Sequence, residues 1–253
     1  LLDGPIGQRP DAMFGSEHYI EPCATLLSQH FGKEVTPICV DLLRTLHPIS
    51  ATRIRQDVHA ARPWLSASTY VDFVPRVVLL GGESSGKTTL AQALAERHGT
   101  VWVPEYGRER WDLQQGQLSL DDLIDIGRVQ ILREDEHHRQ ANRWLFCDTS
   151  PLTTLGYAGW MFGKQPQHLL EMAERRYDLA ILCHPDFAFV QDGTRRDDTF
   201  RLTQHEWYRA QLTARQMPWI DAFGNLPQRV AQVDQALASL TQTGKGPRAR
   251  HDQ

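Results

Sequence analysis

The fold of this chain is decided by the stretch Gly81-Gly82-Glu83-Ser84-Ser85-Gly86-Lys87-Thr88, which is followed by Thr89. It matches the phosphate-binding pattern G-x-x-x-x-G-K-[ST] at every position. Glycines let the backbone close around phosphate oxygens, Lys87 would reach the β- and γ-phosphates of ATP, and the Thr88 hydroxyl would bind Mg²⁺. The sequence therefore predicts ATP-binding residues from Gly81 to Thr89, with Lys87 also catalytic. A glycine-rich turn without a ligand is the alternative.

The sequence on both sides of this loop alternates between strand and helix patterns. Arg76–Leu80 is an apolar run that stops at the first glycine, and Lys87–His98 has a helical composition with Gly99 at the C-cap position. Further strands are predicted at Val101–Val103, Trp144–Cys147, Leu179–Cys183 and Trp219–Phe223, and further helices at 203–216 and Pro227–Leu240. This alternation predicts an α/β fold of the P-loop NTPase class, nucleoside- or nucleotide-kinase-like, with a parallel five-stranded sheet and helices on both faces.

Another helix is predicted after Ser119, which forms a capping-box pattern with Asp122. His137 and His138 lie in its polar continuation without metal-ligand spacing, so we expect both on a solvated face. The residues that recur at helical spacing, and that we expect on its apolar face, are Leu120, Leu123, Ile124, Gly127 and Ile131.

Two carboxylates follow predicted strands. Asp148 ends the run Leu145-Phe146-Cys147, where a carboxylate can organise Mg²⁺ or bind a substrate. Glu105 follows the second strand, so it would face the crevice beyond the carboxyl ends of the strands and could orient or deprotonate an attacking hydroxyl. Thr88 and Asp148 are thus the candidate metal ligands, and Glu105 and Asp148 are the candidate catalytic carboxylates. A helix-capping aspartate and an exposed loop glutamate are the alternatives.

An arginine-rich segment, Gly193–Arg201, follows the fourth strand. Arginine forks bind phosphate bidentately and stabilise charge on a transferred phosphoryl group, so this segment suits a lid over ATP. Arg195, Arg196 and Arg201 are its candidate catalytic residues. Because two aspartates are interleaved with them, a solvated charged loop is the alternative.

The composition excludes several classes of protein. The 253 residues carry a net charge of −4, which argues against nucleic acid as a partner. No apolar run approaches the roughly 20 residues of a membrane span, so no membrane association is expected. Four cysteines without C-x-x-C spacing, of which Cys39 and Cys183 lie in apolar runs, indicate buried free thiols and a cytoplasmic location. The guanine-reading Asn-Lys-x-Asp and the transporter signature Leu-Ser-Gly-Gly-Gln are both absent, which favours a small-molecule kinase.

Four motifs in the right order resemble the ribosylnicotinamide kinase domain of the bifunctional NadR family, over roughly residues 76–240. They are Gly-Gly-Glu-Ser-Ser-Gly-Lys-Thr-Thr-Leu, Val-Pro-Glu-Tyr-Gly-Arg-Glu, Cys-Asp-Thr-Ser-Pro-Leu-Thr-Thr and Val-Gln-Asp-Gly-Thr-Arg. The resemblance implies transfer of the ATP γ-phosphoryl group to the 5′-hydroxyl of nicotinamide riboside, which gives nicotinamide mononucleotide in NAD biosynthesis or salvage. It implies that Lys87 and Thr88 handle ATP and Mg²⁺. The substrate-binding residues that it implies are Glu105, Tyr106, Arg108, Asp148 and Asp192.

The first 70 residues resemble part of the same family's nicotinamide-mononucleotide adenylyltransferase domain. Phe14–Tyr19 is similar to its Ser-Glu-x-Tyr segment, and Ile49–Arg55 is similar to the I-S-x-T-x-[IL]-R motif of nucleotidyltransferases. The resemblance implies that Ser50 and Thr52 cap a helix and that Arg55 contacts ATP phosphates, with a basic helix start as the alternative. The chain lacks the H-x-G-H loop of a complete adenylyltransferase. We therefore expect a partial Rossmann-like segment without adenylyltransferase activity.

Together these patterns predict a truncated adenylyltransferase-like segment at 1–70, a kinase domain at 71–242 and a disordered tail at 243–253. ATP, Mg²⁺ and nicotinamide riboside are the expected ligands, and a homo-oligomer is left open. A kinase of another nucleoside and an ATP-binding regulator of NAD metabolism without turnover remain as alternatives. The sequence decides neither between nicotinamide and nicotinic acid ribosides nor which carboxylate is the base.

Overall fold

The computed structural model describes residues 9–186 and 198–242. The chain divides into two compact units, Leu1–Trp64 and Leu65–Gln253. This division falls a few residues before the boundary at residue 70 that the sequence predicts. The predicted tail at 243–253 lies outside the described residues.

The N-terminal unit contains a small parallel β-α-β arrangement. Strand β1 (Ala12–Gly15) pairs in parallel with β2 (Thr36–Cys39), and helix α1 (Ile20–Phe31) connects them. All four residues of β2 are exposed, so the buried position predicted for Cys39 is wrong, whereas Cys183 is buried as predicted. A short helix, α2 (Ala51–Gln56), follows.

The C-terminal unit carries the five-stranded sheet. Its elements are α3 (Ala67–Tyr70), β3 (Arg76–Leu80), α4 (Lys87–His98), β4 (Trp102–Val103), α5 (Tyr106–Leu113), α6 (Leu120–Gln140), β5 (Leu145–Asp148), α7 (Pro151–Phe162), α8 (Gln167–Ala173), β6 (Leu179–Cys183), α9 (Asp198–Ala214), β7 (Trp219–Ala222) and α10 (Leu226–Gln242). The strands lie in the order β4-β5-β3-β6-β7, and every described pair is parallel. The predicted α/β fold is confirmed.

Hydrophobic cores cover both faces of this sheet. The central strand β3 is wholly buried, and its side chains alternate between the two cores because successive residues of a strand point to opposite faces. Val78 and Leu80 pack in the core that α6, α7, α8 and α9 cover, whereas Val77 and Leu79 pack in the core that α4 and α10 cover. A strand buried on both faces favours a continuous apolar run, which explains Val77–Leu80. Arg76, at the start of the strand, is also buried, and its guanidinium pairs with the Asp135 carboxylate at 3.0 Å.

Helix α6 begins with the predicted capping box. The Ser119 hydroxyl accepts a hydrogen bond from the Asp122 backbone amide, and the Asp122 carboxylate accepts one from the Ser119 backbone amide. The solvated position predicted for His138 is wrong, because this side chain is only 6% exposed and its Nε2 lies 2.6 Å from the Val74 carbonyl oxygen. None of the described helices has the length and apolar character that a bilayer span requires.

Candidate active site

The predicted phosphate loop connects β3 to α4 and has the backbone geometry of a tight anion-binding turn. Gly81 adopts a φ of 141° and Gly86 a φ of 77°, values that side chains strongly disfavour. A Cβ at Gly81 would lie 2.6 Å from the Cys183 carbonyl oxygen, so the loop also packs directly on the end of β6. These contacts explain why the sequence needs glycine at both ends of the loop.

The reactive side chains of the loop point back toward it and toward β5. Lys87 Nζ donates hydrogen bonds to the Gly81 and Gly82 carbonyl oxygens, at 3.1 and 2.9 Å. Thr88 Oγ1 donates to Asp148 Oδ2 at 2.5 Å. β3 and β5 are parallel neighbours, so their carboxyl ends meet at one edge of the sheet and bring Thr88 and Asp148 together.

Asp148 is a buried carboxylate with one oxygen left for another ligand. Its side chain is 1% exposed, and its Oδ1 has no hydrogen-bond partner among the described residues. Burial raises the pKa of this carboxyl group, and the positive charge of Lys87 opposes that shift. Because a buried carboxylate oxygen without a partner is costly, this atom fits a site for a divalent cation shared with Thr88.

Glu105 is the N-cap residue of α5, and only Pro104 separates it from β4. Burial raises the pKa of its carboxyl group, and the nearby charge of Asp148 raises that pKa further, while Lys87 and Arg108 lower it. Glu105 and Asp148 are thus neighbouring carboxylates whose pKa values are both raised. Carboxylates with raised pKa values are common at sites where a side chain takes up a proton.

A cavity of about 270 Å³ extends from the phosphate loop between α5, α6 and α7. Its polar lining includes Glu105, Lys87 and Arg108, and the residues that α6 contributes are apolar apart from Gln130. Tyr106 lies outside this lining, and its ring lies 4.5 Å from the Arg133 guanidinium carbon. The remaining lining residues are Gly81, Glu83, Ser84, Ser85, Gly86, Thr88, Thr89, Gly107, Trp111, Leu118, Leu123, Ile126, Gln130, Thr149, Thr153, Thr154, Tyr157, Met161 and Tyr208.

The first turns of α9 pack on the phosphate loop. Arg201 is 3% exposed, and a Cβ at Gly82 would lie 2.5 Å from its backbone oxygen. Arg201 is therefore placed beside the loop. The other predicted residues of this region, Asp192, Arg195 and Arg196, lie outside the described residues.

Sequence reasoning missed a hydrogen-bonded triangle that joins the loop to two helices. The Tyr157 hydroxyl donates to the Glu83 carboxylate at 2.9 Å, and Gln204 Oε1 accepts from the Glu83 backbone amide at 2.9 Å. Gln204 Nε2 completes the triangle by donating to the Tyr157 hydroxyl at 3.4 Å. Burial, followed by the charge of Glu83, holds the Tyr157 pKa well above its ordinary value, so the hydroxyl keeps its proton.

Arg229 is a second residue that the motifs did not indicate. Its guanidinium donates to the backbone oxygens of Ser85, His184 and Gly224, each at 2.7–2.8 Å, and it pairs with the Asp186 carboxylate. This buried arginine therefore ties the phosphate loop to the segments that follow β6 and β7.

In the N-terminal unit, Ser50 is the N-cap of α2, and its hydroxyl accepts a hydrogen bond from the Arg53 backbone amide at 3.2 Å. Thr52 lies in the first turn of this helix, and both Thr52 and Arg55 are exposed.

Sequence comparisons relate this chain to one protein family and to two curated proteins of the same name. The family model described as an AAA domain matches residues 76–229. The "Trifunctional NAD biosynthesis/regulator protein NadR" of Escherichia coli (strain K12) is 33% identical over 196 residues, which are 75% of this chain and 46% of that protein. The protein of the same name from Salmonella typhimurium (strain LT2) is 32% identical over the same shares. The chain thus spans about half the length of these relatives, and the resemblance to NadR is confirmed.

Solved structures agree on the fold. The crystal structure of a NadR protein in complex with NR superposes with a TM-score of 0.69 at 21% identity, covering 96% of this chain and 73% of that one. The thymidylate kinase of Candida albicans superposes with a TM-score of 0.50 at 13% identity, covering 66% of this chain and 92% of that one.

Proposed function

Because the chain belongs to the AAA domain family and is homologous to NadR over three quarters of its length, we propose that it is a ribosylnicotinamide kinase. The reaction transfers the γ-phosphoryl group of ATP to the 5′-hydroxyl of nicotinamide riboside and gives nicotinamide mononucleotide and ADP. The single observation that carries this proposal is the cavity, which joins the phosphate loop and Glu105 to an apolar pocket of nucleoside size.

The phosphate loop positions ATP with its γ-phosphoryl group toward the cavity. The backbone amides of the loop and the N-terminus of α4 bind the phosphate oxygens, and Lys87 neutralises charge on the transferred group. The hydrogen bonds of Lys87 Nζ to two loop carbonyl oxygens hold the ammonium group inside the loop. When ATP binds, phosphate oxygens accept hydrogen bonds from the same ammonium group, in place of the carbonyl oxygens or together with them. Catalysis then rests on positioning and electrostatic stabilisation.

We assign Glu105 as the base and Asp148 as a metal ligand. Asp148 is bonded to Thr88, and its second oxygen would complete the coordination of Mg²⁺. The ion, when bound, neutralises the charge that develops on the β- and γ-phosphate oxygens. Glu105 lines the cavity, and its raised pKa makes its carboxylate a better acceptor for the proton of the 5′-hydroxyl.

The remaining predicted residues are assigned to neighbouring roles. Arg201, which lies beside the loop, joins Arg195 and Arg196 in a lid that contacts the phosphates, and Arg108 and Asp192 contact the riboside. We assign the N-terminal unit, with Ser50, Thr52 and Arg55, to a partial adenylyltransferase segment. Since this chain has no H-x-G-H loop, we expect the purified 253-residue chain to form no NAD from nicotinamide mononucleotide and ATP.

A panel of ribosides with an ADP-release assay tests the proposed activity. Nicotinamide riboside, nicotinic acid riboside, thymidine and cytidine are compared at equal concentration with MgATP. We expect the highest kcat/KM with nicotinamide riboside and a product that co-migrates with nicotinamide mononucleotide. A preference for thymidine or cytidine would overturn the substrate assignment, and ATP binding without turnover of any riboside would favour a nucleotide-binding regulator.

A further inference from the structure

Gln130 lies on α6 with its side-chain orientation fixed by the backbone. The residue is 2% exposed, and its Oε1 accepts a hydrogen bond from the Tyr106 backbone amide at 3.0 Å. A backbone amide can only donate, so the oxygen of the Gln130 amide must face it. The NH₂ group therefore points the other way, and its orientation does not depend on an arbitrary choice between oxygen and nitrogen.

That NH₂ group is an unused donor at the wall of the cavity. Gln130 Nε2 is buried and has no hydrogen-bond partner among the described residues, and Gln130 lines the cavity. Buried polar groups in folded proteins are nearly always hydrogen-bonded, and exceptions call for an explanation. A bound ligand with an atom that accepts a hydrogen bond from Gln130 Nε2 would explain this exception.

The surroundings of this donor indicate which part of a ligand it meets. Leu123, Ile126 and Gln130 are spaced by three and four residues, so they share one face of α6, and Trp111 and Leu118 also line the cavity. The α6 side of the cavity is thus apolar apart from the Gln130 amide and suits a flat ring. The charged groups that would handle phosphate and hydroxyl lie on the phosphate loop and at Glu105.

We propose that Gln130 is the specificity-determining residue for the ring of the riboside, through a hydrogen bond from its Nε2 to a carbonyl oxygen carried by that ring. In nicotinamide riboside this oxygen belongs to the carboxamide group. The inference rests on the proposed riboside kinase activity. It adds the requirement that the ring of the substrate carries a hydrogen-bond acceptor on the side that faces α6. Gln130 is the only side-chain amide among the described residues that line the cavity.

The test compares two substrates that differ only in the carboxamide group, which carries the acceptor: nicotinamide riboside and the riboside of unsubstituted pyridine, which carries the same ring charge. We expect the wild-type chain to prefer nicotinamide riboside by about 10- to 100-fold in kcat/KM, the range for one buried hydrogen bond. In Gln130→Glu, which keeps an acceptor for the Tyr106 amide but removes the donor, and in uncharged Gln130→Met, we expect that preference to fall to within about threefold. The loss should appear mainly in KM for nicotinamide riboside.

Gln140→Glu, at the exposed end of the same helix, is the matched control and should keep the wild-type preference. Thermal unfolding and MgATP binding are measured for each variant to show that it is folded. A wild-type chain that phosphorylates both ribosides equally well overturns the inference without any variant, as does an unchanged preference in folded Gln130 variants. If the wild-type chain phosphorylates neither riboside, the proposed kinase activity itself fails, so the two failures are distinguishable.

Discussion

Lys87 is one of four lysines in a chain whose other basic side chains are 23 arginines. A compact ammonium on a flexible stem can turn back over the loop and donate to the Gly81 and Gly82 carbonyl oxygens, as it does here. A planar guanidinium is broader and spreads its donors over several acceptors, as Arg229 does with the backbone oxygens of Gly224, Ser85 and His184.

Substitution of Lys87 by alanine removes the charge that would stabilise the transferred phosphoryl group. We expect Lys87→Ala to lower kcat for riboside phosphorylation by at least about 10³-fold, since cationic clamps on phosphoryl groups contribute on that order. Circular dichroism and thermal unfolding should remain close to wild type because the side chain lies at the cavity. Lys164→Ala, an exposed lysine, is the matched control; turnover by Lys87→Ala equal to that control would refute the role of Lys87.

At the level of elements, the contact between the phosphate loop and α9 is closely packed. Gly82 leaves no room for a side chain because the Arg201 backbone oxygen would lie 2.5 Å from its Cβ. The triangle of Glu83, Tyr157 and Gln204 adds directional bonds at the same contact. The phosphate loop and α9 are thus packed together as one unit.

We expect Gly82→Ala to lower the free energy of unfolding by about 1–3 kcal/mol, the usual cost of an over-packed contact, and to weaken MgATP binding. Gly159→Ala is the control because that glycine is helical and its nearest atom to a new Cβ is 3.9 Å away. It should be neutral or stabilising by about 0.5–1 kcal/mol. Urea unfolding of both variants measures their free energies of unfolding. Equal values would show that α9 can move away from a side chain at residue 82 without loss of stability.

The strands and the phosphate loop could be predicted because local patterns specify them. A strand buried on both faces has to be a continuous apolar run, and the loop is a contiguous motif. The face of α6 could not be predicted in the same way. Its buried stripe continues through Gln130, Glu134 and His138, and these polar side chains find partners far away in sequence, such as the Val74 carbonyl oxygen and Tyr177. Periodicity alone assigns such residues to solvent.

Part of the candidate site is built from residues that are distant in sequence, and local sequence patterns do not indicate them. Tyr157 and Gln204 reach Glu83 across 74 and 121 residues of sequence, and Arg229 reaches Ser85 across 144. No spacing rule brings such residues together, so only the folded chain shows them at the loop. Glu105 and Asp148 were accessible from sequence because each follows a strand pattern directly.

At the scale of the whole molecule, the chain consists of two compact units that differ in how well their apolar residues are covered. The C-terminal unit buries both faces of its sheet. In the N-terminal unit, large apolar side chains are exposed, such as Leu43 at 84% and Leu46 at 74%. All the described residues assigned to ATP belong to the C-terminal unit, apart from the residual motif around Arg55.

Nucleotide binding should therefore stabilise the two units unequally. A ligand at 100 times its Kd stabilises the form that binds it by about 2.7 kcal/mol. We expect saturating MgATP to slow amide hydrogen exchange about 100-fold for globally protected amides of β3 and β5 and to leave those of β1 and β2 unchanged. Protection gained equally in both units would show instead that the N-terminal unit also binds the nucleotide.

The buried Arg229 has a consequence for the thermodynamics of nucleotide binding. It holds the loop carbonyl of Ser85 to the segments after β6 and β7 before any phosphate arrives. The conformational entropy of the loop is thus lost when the chain folds and not when ATP binds. We therefore expect nucleotide affinity to depend in part on a residue of α10, which lies more than 140 positions along the chain from the loop that it steadies.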